Sequence, residues 1–87
     1  MDKYVVVQVR KNVDEKRDYL QVNSWASGDP IIVDQKTARE EVAELNAIAE
    51  EYKGFNEIKK AFAIYVYNQS DAEVKALTKL IQSAQLQ

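Results

Sequence analysis

"AFAIYVYN" (residues 61–68) alternates with the period of a β-strand. Phe62, Ile64 and Val66 fall on one side, and Ala61, Ala63, Tyr65 and Tyr67 on the other. On both flanks the period changes from two to 3.6. Upstream, Ala38, Val42, Leu45, Ile48, Ala49 and Tyr52 recur at helical spacing, behind a Thr37–Glu40 match to the capping box. Gly54 is placed to close that helix in the left-handed conformation. Downstream, Val74, Leu77, Leu80, Ile81 and Ala84 repeat the helical stripe behind a second match, Ser70–Glu73. In each box the hydroxyl and the glutamate both satisfy a free amide of the first turn. A strand held between two capped helices makes this an α+β chain.

The first third supplies the strand's partners. "YVVVQVRK" (4–11) sends Val5, Val7 and Val9 one way and Tyr4, Val6, Gln8 and Arg10 the other. "YLQVNSW" (19–25) sends Leu20 and Val22 one way, and Tyr19, Gln21, Asn23 and Trp25 the other. The charged "NVDEKRD" between them reads as a hairpin connection longer than the tight two-residue kind. "ASGDP" (26–30) is a turn, and "IIV" (31–33) either adds a short edge strand or leads into the helix. The order is β-β-(β)-α-β-α in one domain, 1–87. A right-handed crossover through the first helix sets the last strand beside the first, giving an antiparallel sheet of order 2-1-3. Both helices then bury their stripes on one face, in a two-layer sandwich.

Composition narrows the chemistry. Cysteine and histidine are absent, which removes disulfides, thiol nucleophiles, the usual zinc ligands and the commonest general base. No carboxylate, lysine or tyrosine spacing replaces them, so neither an enzyme nor a cofactor is expected. No apolar run is long enough for a membrane span and "MDKYVVVQVRK" has no signal-peptide pattern, so a cytoplasmic, complete small reading frame is expected. The net charge of −2 disfavours a polyanion binder driven by bulk charge. It is unevenly spread: residues 34–51 hold six acidic side chains against two basic ones, while residues 52–87 hold five basic against three acidic.

With the valine, leucine, isoleucine and phenylalanine face given to the helices, the opposite face collects Tyr4, Tyr19, Trp25, Tyr65 and Tyr67. Arg10, Gln21 and Asn23 form its polar rim. Aromatic cross-strand pairs stabilise any sheet, so this face is either an ordinary solvated surface or a contact surface. Tyrosine and tryptophan suit contact because they lose little entropy and keep a polar tip. Two aromatic faces related by a two-fold axis, or two edge strands, would make a homodimer. Single-stranded nucleic acid stacking on the aromatics is the alternative. That alternative is similar in idea to the RNA-recognition motif, but the element order differs and its glycine-aromatic core motif is missing. Glu40, Glu44 and Glu51 form an acidic stripe opposite the first helix's apolar face, with Glu41 in its first turn. The stripe is a solvated face or a mimic of phosphate spacing; it lacks the loop and carbonyl ligands of a metal site.

The stretch "YLQVNSWASGDPIIVDQKTAREEVAELN", with its Trp-containing strand, turn and capped helix, resembles small accessory proteins of phages and prophages of low-GC Gram-positive bacteria. The resemblance implies a stoichiometric binder of a host protein, with inhibitory roles that include anti-defence and anti-CRISPR activity. It carries over no site residues.

Overall fold

Three valines in succession build the centre of the sheet. The computed structural model describes residues 3–12, 16–54, 57–66 and 69–84. Strand β1 (Tyr4–Asn12) is followed by β2 (Arg17–Val22), helix α1 (Gln35–Glu51), strand β3 (Ile58–Tyr65) and helix α2 (Asp71–Ser83). Both outer strands run antiparallel to β1, in the order β2-β1-β3. The α+β class and the 2-1-3 order agree with the sequence reading. The hairpin pairs Asn12 with Arg17, leaving a connection longer than two residues.

The helices divide between the two faces, where the sequence predicts both on one. Val5, Val7 and Val22 pack with Val74 of α2 in one buried cluster, bordered by Leu20, Ile64, Leu77 and Ile81. Val6 points the opposite way along β1 and is nevertheless only 1% exposed. Its cover is α1, whose Ala38 and Val42 line a groove with Tyr4, Ala61 and Ala63. Among the described residues α1 approaches β3 and β1, α2 approaches β2, and the helices do not meet. The physical reason lies in the run Val5-Val6-Val7, which is apolar without alternation, as a strand buried on both faces must be. Ala61 and Ala63 leave room for α1 on that side.

Local chemistry sets the helix ends. Ser70 caps α2 as its sequence predicts: its hydroxyl accepts from Glu73 N–H, while the Glu73 carboxylate accepts from Ser70 N–H. Helix α1 begins earlier than Thr37. Asp34 is its N-cap and accepts from the Thr37 amide at 2.7 Å. Aspartate is the stronger cap and pre-empts the threonine. The earlier start moves Glu40 and Glu41 out of the first turn, so their charges do not serve the helix terminus. Gly54 takes φ +88, the left-handed value expected just past the end of α1.

The segment 31–33 pairs without forming a full strand. Tyr4 and Val33 exchange backbone hydrogen bonds of 2.8 and 2.9 Å, and Ile31 N–H donates to the Asn23 carbonyl. This segment therefore continues the sheet edge where β2 leaves it. Strand β2 ends at Val22, short of the predicted Trp25, because the chain turns away. Trp25 N–H donates to the Asp29 carbonyl, and Gly28, at φ +92, donates its N–H back to the Trp25 carbonyl.

Candidate functional site

The antiparallel register places Tyr4 opposite Tyr65. Their rings stack at 4.9 Å between centroids and 29° between planes. Tyr65 remains 49% exposed. Next to the stack, between α1 and β3, lies a groove of about 420 Å³. Its walls are mostly apolar: Ala38, Val42 and Ala43 from α1, and Ala61, Phe62 and Ala63 from β3, with Gln35 and Arg39 at the polar margin. Phe62, which alternation sends to the other face, reaches this groove at the sheet edge and is 36% exposed.

The remaining members of the predicted surface fall elsewhere. Tyr19, Arg10, Gln8 and Asn23 form a half-buried polar chain across β1 and β2. Arg10 donates from Nε to the Tyr19 hydroxyl at 3.3 Å, from one terminal nitrogen to Gln8 Oε1 at 2.8 Å, and from the other to Glu57 at 3.1 Å. Gln8 Nε2 donates to Asn23 Oδ1 at 2.7 Å, and Asn23 Nδ2 donates to Glu41 at 3.4 Å. Every amide in this chain points its oxygen toward the cation and its nitrogen toward the anion. A chain so oriented polarises in one sense from Arg10 to Glu41, and it ties the sheet to α1. Burial pulls the Arg10 guanidinium pKa down. Its bonds to Tyr19 and Glu57 outweigh that and hold it above the ordinary value. Arg10 and Asn23 are thus engaged within the protein, whereas Gln21 is exposed.

Trp25 is separated from the tyrosines. It is 63% exposed and lines a second, open cleft of about 610 Å³ with Lys3, Pro30 and Ile32 and the α2 residues Asp71, Ala72 and Lys75. There Lys75 pairs with Asp29 at 3.2 Å, and Lys75 together with Ser27 holds the Asp29 carboxyl below its usual range. Tyr67 lies outside the described residues. Glu40, Glu44 and Glu51 are exposed on α1, while Glu41 is bound to Asn23. Among the described residues no group of three or more acidic side chains is arranged to hold a metal ion. No helix there is long and apolar enough to cross a membrane.

The sequence reading had no signal for Phe62 and Val42 as groove walls, because it gave both to a core on the other face. The chain matches no family model, no curated protein and no solved structure.

Proposed function

We propose that the chain is a non-enzymatic protein-binding module that engages its partner through the Tyr4–Tyr65 stack and the apolar groove beside it. The observation that carries this reading is the half-exposed Tyr65, stacked on Tyr4 at 4.9 Å next to a groove walled by Ala38, Val42, Ala43 and Phe62. A preformed aromatic pair costs little ordering entropy on binding, and its hydroxyls can meet a polar rim. The absence of histidine and cysteine supports a binding role over catalysis. A narrower reading, a phage-derived inhibitor acting on a host factor in the cytoplasm, is supported by the resemblance in sequence style alone.

The test pairs Tyr65→Ala with Ala43→Lys, which sets a charged chain in the groove from an exposed helix position. Both variants should keep the wild-type circular dichroism spectrum and lose the protein that the immobilised wild-type chain retains at one-to-one stoichiometry. Retention of that protein by both folded variants would refute the site. Binding of labelled single-stranded oligonucleotides that weakens with salt and vanishes in Tyr65→Ala would replace it with the nucleic-acid reading. Loss of the captured protein's activity at one equivalent would support the inhibitor.

A further inference from the structure

An outer strand presents a row of backbone donors and acceptors, and such rows recruit other strands. In this sheet the row of β3 is interrupted within the strand and that of β2 is closed at its last residue, in each case at the most buried residue of the strand. In β3 that residue is Ala61, 6% exposed, and one side chain of α1 takes both of its backbone groups. Ala61 N–H donates to Asn46 Oδ1 at 2.8 Å, and Asn46 Nδ2 donates to the Ala61 carbonyl at 3.1 Å. A side-chain amide carries the same donor and acceptor as a peptide group, so Asn46 stands where a fourth strand would stand. Asparagine is also a poor helix former, and here it lies within a 17-residue helix.

The opposite edge repeats the arrangement with different residues. Val22 is fully buried. Its N–H donates to Gln82 Oε1 of α2 at 3.1 Å, and its carbonyl accepts from the Ser24 hydroxyl at 2.9 Å. We propose that Asn46 on one edge, and Gln82 with Ser24 on the other, are edge stoppers that keep β3 and β2 from pairing with a second copy of this chain. Edge-strand homodimers are thereby suppressed, and association is directed to side-chain surfaces. This inference does not rest on the binding reading above: Ala61 also walls the groove, but the inference concerns its backbone edge and the side chains of Asn46, Gln82 and Ser24.

Sedimentation of the full chain over a wide concentration range tests it, with Asn46→Leu and Gln82→Met as variants. Both replacements are apolar, of similar length and good helix formers. A side chain that merely satisfies a buried amide would lower stability without changing association. A stopper, once removed, should tighten self-association roughly tenfold or more, the equivalent of about one net hydrogen bond. New amide-exchange protection along the freed strand should accompany it. Folded variants that sediment as wild type, or that associate without that protection, would overturn the proposal. If Asn46→Leu does not fold, Gln82→Met, at an exposed position near the end of α2, decides it alone.

Discussion

Val6→Ala separates a sheet covered on both faces from one covered on a single face. Val6 is 1% exposed and lies on the side of β1 opposite Val5 and Val7. Truncation removes two methyl groups, about 1.6 kcal/mol of transfer free energy at roughly 0.8 kcal/mol per buried carbon. The void left beneath a helix that relaxes only partly adds to this, for a total of about 2–3 kcal/mol. Against the roughly 5–10 kcal/mol expected for a domain of this size, that is a large fraction. The melting temperature should fall by roughly 10–20 °C. Val6→Thr keeps the shape but adds a hydroxyl under α1. It should cost about 1–3 kcal/mol if the hydroxyl finds no partner. Gln21→Ala, at an exposed position of β2, is the control and should stay within about 0.5 kcal/mol of wild type. Urea unfolding followed by circular dichroism reads all three, and an unchanged m value certifies that the midpoint shift is a stability change. Val6→Ala within about 0.5 kcal/mol of wild type would refute the placement of α1 over this face.

Other consequences are open to simple measurement. A double-mutant cycle on Gln8 and Asn23, joined at 2.7 Å, should show coupling of about 1 kcal/mol. Additive single substitutions would mean that the oriented chain from Arg10 to Glu41 does not act as a unit. Ser70→Ala should cost about 1 kcal/mol in thermal unfolding through loss of the α2 capping box. Hydrogen bonds from Ser70 hold the Glu73 carboxyl below its ordinary pKa, and bonds from the Thr37 hydroxyl and amide do the same for Asp34. The unfolded chain then binds these protons more readily than the folded one. The stability that both carboxylates contribute is present above about pH 4 and is lost as pH falls through their folded values. A melting temperature flat from pH 8 to about 6 and declining below about 4 is expected, and Glu73→Gln, which keeps the capping box but cannot titrate, should flatten the decline. An unchanged acid limb in that variant would remove Glu73 from the explanation.

Much of the fold is written in local pattern. The strand period of residues 61–66, the helical stripes on both sides and the Ser70–Glu73 box fix the elements, because each depends only on neighbours within a turn or a pleat. The 2-1-3 order follows from chain connectivity. Alternation also placed Tyr4 and Tyr65 on one face, and they stack there. It failed for Trp25, which lies past the end of β2 at Val22, in the turn that runs from Trp25 to Asp29. The polar rim was legible as residue types, but Arg10 and Asn23 turned out to be engaged with Tyr19, Gln8, Glu57 and Glu41.

The sequence by itself therefore determined which segments are strands and helices, and that the chain lacks histidine and cysteine chemistry. Only the tertiary structure decided which face each helix covers. A helix stripe specifies that it must be buried, not against which side of a sheet, and the small Ala61 and Ala63 admit α1 on the face that alternation alone had left to water. The same docking brings Asn46 to the edge of β3 and leaves Tyr65 half exposed beside the groove. Both outcomes depend on residues that are distant in sequence and become neighbours only after the sheet and helix have met.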